Sequence, residues 1–61
     1  MIRNMIIMEI NGVVELRNNM KPIFTGNYRE VELYIDSLLE MRQISATTHK
    51  YLSRSLSKLK L

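Results

Sequence analysis

Hydrophobic and polar residues change their spacing near residue 26, and this change divides the chain into two parts. Before that point, apolar residues come in short runs broken by Asn, Gly and Pro, which is typical of strands joined by tight turns. After it there is no Gly or Pro, and apolar residues recur every three or four positions, which indicates helices. The pattern predicts one small α+β domain, with a β part over residues 1–26 and a helical hairpin over residues 27–61.

The β part contains an Asn11-Gly12 pair between two apolar segments, Met5–Ile10 and Val13–Arg17. Asn-Gly favours a type I′ hairpin turn because both central residues of that turn need positive φ. A two-residue turn at this point also fixes which residues face each other across the two strands. The expected pairs are Ile10 with Val13, Met8 with Glu15 and Ile7 with Leu16.

A second tight turn is predicted at Asn18-Asn19, because asparagine tolerates the left-handed backbone that such turns use. A short strand is expected to follow from Met20 to Thr25. It contains Pro22, which must lie where the sheet requires no backbone N–H. We therefore expect a β-hairpin or, with this strand, a three-stranded antiparallel meander.

Alternation of side chains along the strands predicts two faces of the sheet. The members of one face are Ile6, Met8, Ile10, Val13 and Phe24, and those of the other are Met5, Ile7, Val14, Leu16 and Ile23. Both faces are apolar, whereas a small antiparallel sheet usually leaves one face in water. We expect the helices to cover one face and a second copy or another partner to cover the other. The alternative is a central first strand whose partners are shifted by one residue.

The helical part begins with Asn27, a favourable N-cap residue, and Glu30 three positions later completes the pattern of a capping box. The first helix is expected to run to about Arg42. The next three residues interrupt the pattern, and Ser45 can cap a second helix that runs to about Leu59. The inward positions of the first helix are Val31, Tyr34, Ile35, Leu38 and Leu39, with Tyr28 and Met41 at the margins; those of the second are Leu52, Leu56 and Leu59, extended by Ala46 and His49.

A chain of 61 residues buries only a modest core and usually needs an additional source of stability. The sequence contains no Cys, so disulfides are excluded, and a single His cannot supply the four ligands of a structural zinc site. Association with another chain remains, and we expect a homo-oligomer, in particular a dimer. The residues predicted for self-association lie on the first strand: Met5, Ile6, Ile7, Met8 and Ile10.

Membrane insertion and export are not expected. The longest apolar run, Met5–Met8, ends at Glu9 and is far shorter than the ~20 residues of a membrane span or the apolar region of a signal peptide. We therefore expect no membrane partner and a cytoplasmic location, which the absence of Cys also fits. If the chain is encoded by a phage, that compartment is the cytoplasm of the host.

Charged residues are unevenly distributed around a formal net charge of +3. They form an acidic stripe on the first predicted helix, Glu32, Asp36 and Glu40, and a basic stripe on the second, Lys50, Arg54 and Lys58. In one interpretation the stripes are solvated or form ion pairs between helices or subunits, each exposed pair contributing about 0.2–1 kcal/mol. In the other, the basic stripe binds an acidic partner or a phosphate backbone.

The segment from Gln43 to Leu52 resembles the turn and recognition helix of helix-turn-helix proteins. The matching residues are Ile44, Ser45, Thr47 and Leu52; Gln43 stands where that family usually has Gly, His49 where it has Val or Ile, and Leu39 where it has a small residue. The resemblance implies DNA binding. It would place Ala46, Thr47, Thr48 and Lys50 in the major groove and Lys50, Arg54 and Lys58 at the phosphates.

The sequence shows no pattern of catalytic residues. His49 has no second His, Cys or placed carboxylate beside it in the sequence, so we expect it to pack partly buried beside the apolar positions of its helix. The Ser residues lack a credible His and Asp partner for nucleophilic catalysis. Gly12 and Gly26 are too far apart to form a phosphate-binding loop. We expect no enzymatic activity, no cofactor and no metal site.

Small size and the absence of an active-site pattern lead to the hypothesis of a non-enzymatic interaction protein that binds and inhibits or modulates a larger protein. Phage or mobile-element regulators and anti-defence inhibitors are proteins of this kind. Tyrosine and basic side chains are favourable at such contacts. The predicted partner-binding residues are Tyr28, Lys50, Tyr51, Arg54 and Lys58. The alternative is a dimeric helix-turn-helix-like transcriptional regulator with DNA as its partner.

Overall fold

The computed structural model describes residues 4–19 and 21–59. It has five elements in the order β1 (Met5–Ile10), β2 (Val13–Asn18), β3 (Lys21–Gly26), α1 (Tyr28–Glu40) and α2 (Ala46–Leu59). The strands form an antiparallel sheet in the order β1-β2-β3. The predicted α+β arrangement of a three-stranded meander followed by two helices is therefore confirmed.

The first hairpin has the predicted turn and register. Asn11 and Gly12 have φ values of 52° and 82°, as a type I′ turn requires. Ile10 pairs with Val13, and the expected pairs further along the two strands also occur, Met8 with Glu15 and Ile7 with Leu16. The strand order places β1 at the edge of the sheet, and its register with β2 is the expected one over its whole length. The alternative of a central first strand with partners shifted by one residue is therefore wrong.

The second turn begins one residue later than predicted. Asn18 still belongs to β2 and pairs with Lys21, whereas Asn19 adopts a positive φ of 59° and donates its backbone N–H to the carbonyl oxygen of Asn4 at 3.1 Å. The predicted start of the third strand at Met20 lies outside the described residues. The strand ends at Gly26, one residue beyond the predicted end.

The placement of Phe24 on the same face as Met8 is wrong. A register shift beside Leu16 and Arg17 pairs Leu16 with Phe24 and Arg17 with Pro22, which leaves Ile23 without a direct partner. Strict alternation along β3 fails at this irregularity, and both Ile23 and Phe24 pack against the core. The ring of Phe24 stacks on Tyr34 of α1, with ring centroids 4.3 Å apart.

The core lies between one face of the sheet and the two helices. α1 packs against β2 and β3, whereas α2 packs against β1 and α1. This arrangement covers the sheet face that carries Val14 and Leu16. The buried residues are Met5, Val14, Leu16, Val31, Ile35, Leu38, Ile44, Leu52 and Leu56.

α1 starts with the predicted capping box. The backbone N–H of Glu30 donates to Oδ1 of Asn27 at 2.8 Å, and the backbone N–H of Asn27 donates to Oε1 of Glu30 at 2.9 Å. Gly26 is the residue that makes room for this pair, because a Cβ there would lie 2.8 Å from the same Oε1. The local sequence therefore fixes where β3 ends and α1 begins.

α1 ends at Glu40, two residues before the predicted end. Arg42 adopts the left-handed conformation, with φ 59°, and its N–H donates to the carbonyl of Leu39 at 3.0 Å. The N–H of Gln43 donates to the carbonyl of Leu38 at 2.8 Å. These two bonds form a Schellman motif, in which Arg42 takes the position that glycine usually occupies.

The connection to α2 also contributes to the core. Ile44 is 2% exposed, although the sequence places it among the three residues that interrupt the helical pattern between α1 and α2. Ser45 caps α2 as predicted, because its Oγ accepts the backbone N–H of Thr48 at 3.1 Å. Ala46 is exposed, so the expectation that it extends the apolar side of α2 is wrong.

Neither helix, over the described part of the chain, is long and apolar enough to cross a membrane.

Candidate partner-binding site

A shallow groove runs along the outward side of α2. It is lined by Thr47, Lys50, Tyr51, Arg54, Ser55 and Lys58, and we refer to these six residues as the basic groove. The spacing of three and four residues places them together on one side of the helix. Leu52 and Leu56 lie on the opposite side and are buried against the sheet and α1, which fixes the direction in which the groove faces.

The basic groove is a region of uncompensated positive charge. Lys50, Arg54 and Lys58 follow one another at intervals of four residues, which is about 6 Å along a helix. None of the six lining residues is acidic. No ion pair involves these three cations within residues 4–19 and 21–59. Their fields therefore add, and the groove attracts negative charge.

Tyr51 adds a large apolar surface to this charged region. Its side chain is 55% exposed and lies among the three cations. Tyrosine combines a wide contact area with a hydroxyl group and loses little conformational entropy on binding, which is why it is common at the centres of interfaces. The groove thus offers both electrostatic attraction and a surface that can be buried.

The acidic stripe of α1 does not neutralise the basic stripe. Oε1 of Glu32 accepts a hydrogen bond from Arg29 of the same helix at 2.9 Å. Asp36 lies 2.7 Å from Nε2 of His49, and this contact joins α1 to α2. His49 is partly buried as predicted, but the expectation that no carboxylate accompanies it is wrong, because Asp36 of the acidic stripe is its neighbour.

The structure brings four of the five predicted partner-binding residues together. Lys50, Tyr51, Arg54 and Lys58 line the basic groove, whereas Tyr28 packs against the core at the start of α1. Ser55 also lines the groove and was missed, and Thr47, which the helix-turn-helix resemblance placed in a DNA major groove, was missed as a protein contact. Counting back three residues from Lys50 and forward four from Tyr51 would have identified them.

A second exposed feature is the side of the sheet that faces away from the helices. We call it the outer sheet face and define it by the apolar residues Ile6, Met8, Ile10 and Val13 with Glu15 and Arg17. The four apolar residues are 39–47% exposed. Glu15 and Arg17 form an ion pair with each other on β2.

The residues predicted for self-association divide between the two sides of β1. Ile6, Met8 and Ile10 belong to the outer sheet face, and a second copy could reach them. Met5 is 5% exposed in the core, and Ile7 packs against the core, so the fold of a single chain already uses both.

The turn between the helices differs from the helix-turn-helix pattern at one position. The resemblance aligns Gln43 with the family's glycine, and glycine at the end of a helix supplies left-handed backbone. Here the left-handed residue is Arg42, one position earlier. Gln43 therefore lies between the left-handed residue and the buried Ile44, whereas the alignment requires the left-handed residue to come directly before Ile44.

Within residues 4–19 and 21–59, no group of three or more His, Asp or Glu side chains is arranged to hold a metal ion.

Comparison with protein-family models, with curated proteins and with solved structures finds no match to this chain.

Proposed function

We propose that this chain is a small non-enzymatic interaction protein that binds an acidic surface of a larger protein through the basic groove and thereby inhibits or modulates that protein. The observation that carries this proposal is the clustering of Lys50, Arg54 and Lys58 around the exposed ring of Tyr51, with no acidic residue in the lining. Charged side chains without local partners give a surface a strong preference for a partner of opposite sign.

An acidic protein surface fits the groove better than a DNA duplex does. A Tyr ring at the centre of a contact is typical of protein interfaces, where it is enclosed by the partner. The turn before α2 departs from the helix-turn-helix pattern at Arg42. The acidic side chains of α1, Asp36 and Glu40 among them, would also repel phosphates that approached α1.

The test compares three forms of the protein as bait in an extract of the native host. They are the wild type, the groove variant Lys50→Glu/Arg54→Glu/Lys58→Glu, and the control Lys21→Glu/Arg29→Glu/Arg42→Glu. The control changes the net charge by the same amount at exposed positions outside the groove. Circular dichroism checks the folding of each form, and Lys50→Gln/Arg54→Gln/Lys58→Gln replaces the groove variant if that variant unfolds.

We expect a protein that the wild type and the control retain and the groove variant loses. That protein, once purified, should bind the wild type at least ten-fold more tightly than the groove variant in a titration, which corresponds to about 1.4 kcal/mol. Equal binding by all three baits would exclude the basic groove as the contact site. Failure of the wild type to retain any protein would reject the proposal.

A salt titration with a DNA duplex separates the DNA-binding alternative. Several phosphate contacts would make the logarithm of the binding constant fall steeply with the logarithm of salt concentration. We expect no binding of this kind. A steep slope that the groove variant abolishes would assign the groove to nucleic acid instead.

A further inference from the structure

The outer sheet face is an apolar surface that the fold of one chain leaves uncovered. Ile6, Met8 and Ile10 alternate along β1, and Val13 lies opposite Ile10 on β2. On the opposite side of the same strands, Val14 and Leu16 are 3% and 0% exposed and Ile7 packs against the core, whereas Glu9 near the turn is exposed. Two helices have covered one side of the sheet, and this chain has no further element among residues 4–19 and 21–59 to cover the other.

The charge of this face suits contact with an identical face. Its charged members, Glu15 and Arg17, have opposite signs and pair with each other. The basic groove lies on the outward side of α2, in the other layer of the molecule. Each chain carries a formal net charge of +3, so two copies repel each other. Contact through the outer sheet faces keeps the two basic grooves far apart and therefore limits this repulsion.

The shape of the face also suits a second sheet. β1 and β2 pair without interruption over six positions, so their side chains form regular rows and not a closed pocket. Rows of this kind pack face to face against another sheet about 10 Å away. A symmetric contact of this type closes on itself, which limits the assembly to two copies.

From these observations we infer that the outer sheet face binds a second copy of this chain, giving a dimer in which two sheets pack face to face and the helices lie outermost. The apolar part of the contact is formed by Ile6, Met8 and Ile10 from β1 together with Val13 from β2. Met5 and Ile7 take no part, because they belong to the core of each chain. This inference is independent of the function proposed for the basic groove.

The size of the face predicts the strength of the dimer. Three strands of six residues span roughly 20 Å by 14 Å, given ~3.3 Å per residue and ~4.8 Å between strands. The projected area of the face, roughly 280 Å² from these spacings, is small beside the ~800 Å² per partner of a typical stable interface. We therefore expect a dissociation constant in the micromolar to millimolar range, so that the dimer depends on protein concentration.

Analytical ultracentrifugation over a concentration series tests the inference. The mass of the wild type should rise from 7.2 kDa towards twice that value. Met8→Glu and Val13→Glu should each raise the dissociation constant at least ten-fold, because each places a charge inside an apolar contact. Leu33→Glu is the matched control: Leu33 is 53% exposed on α1, outside the face, and its replacement should leave association unchanged.

Val13→Glu also distinguishes this dimer from one formed along the free edge of β1. Val13 lies on the central strand, so it would not contact a strand added beside β1. A dimer that Met8→Glu weakens and Val13→Glu does not would contradict face-to-face packing. A wild type that stays at 7.2 kDa at every concentration, or a Leu33→Glu variant as impaired as Met8→Glu, would overturn the inference. If Val13→Glu disturbs the adjacent turn in circular dichroism spectra, Val13→Thr replaces it, with a smaller effect in the same direction.

Discussion

On the side of the sheet that meets the helices, Val14 and Leu16 lose nearly all contact with water, whereas Ile6 and Val13 on the outer sheet face keep nearly half of their accessible surface. Both sides are rich in apolar residues, so hydrophobicity alone does not tell them apart. The difference arises because two short helices can cover only one side of a three-stranded sheet. A short chain can therefore encode more apolar surface than it is able to bury by itself.

The largest effect is expected from Leu16→Ala on the covered side. Leu16 is 0% exposed on the central strand, so its truncation removes buried methyl groups and leaves a cavity, at a cost of about 2–5 kcal/mol. A domain of this length has a stability of only ~3–9 kcal/mol. Urea unfolding followed by circular dichroism measures the loss. Val13→Ala on the same strand is the control and should lose under about 1 kcal/mol; equal losses would mean that the two sides are not distinct.

A smaller effect is expected from Phe24→Ala, which tests to which side this residue belongs. The ring is partly buried and stacks on Tyr34, so its removal should cost about 2–3 kcal/mol. If Phe24 instead lay on the outer sheet face, the cost would stay below ~1 kcal/mol. The control Phe24→Leu keeps the apolar bulk and should lose mainly the stacking, about 0.5–1.5 kcal/mol. Thermal and urea unfolding of the two variants separate these cases.

The smallest effect is expected from Ile6→Thr on the outer sheet face. Ile6 is 42% exposed in the single chain, and threonine keeps the β-branched shape, so the loss in dilute solution should stay below about 1 kcal/mol. At high concentration, dimer formation should stabilise the wild type more than the variant. Unfolding curves recorded at two protein concentrations measure this difference. A loss in dilute solution as large as that of Leu16→Ala would contradict the open position of Ile6.

Local sequence signals predicted much of the fold. The Asn11-Gly12 pair set the first turn and, through it, the register of β1 and β2. Asn27 and Glu30 likewise marked the start of α1, because a capping box requires only residues three positions apart. Both signals depend on neighbours in the chain, which a sequence displays directly.

Features that depend on contacts between distant residues were harder to predict. The irregular pairing near Arg17 reversed the expected side of Phe24, and simple alternation along a strand contains no information about such a shift. Ile44 appeared to interrupt a helical pattern, yet the Schellman turn at Arg42 directs it into the core. In both cases the backbone departs from the regular period on which the prediction depended.

The candidate site was predicted in part for a similar reason. Lys50, Arg54 and Lys58 share one side of an α-helix because four residues are close to one turn, so their clustering follows from spacing. The position of Tyr28 depends on how α1 packs on the sheet, and there it contacts the core and not the groove. Likewise, which side of β1 remains open depends on where the helices lie.

The packing of α2 on β1 has a consequence for how the chain folds. The two hairpins of the sheet are local and can form early. The inward side of β1, however, stays exposed to solvent until α2, the element most distant from it in sequence, packs against it. Leu52 and Leu56 belong to that element, and they are among the last residues of the core to emerge during synthesis. A nascent chain whose α2 has not yet emerged from the ribosome therefore exposes the inward side of β1 as well as the outer sheet face, and it is at this stage that chaperone binding is expected.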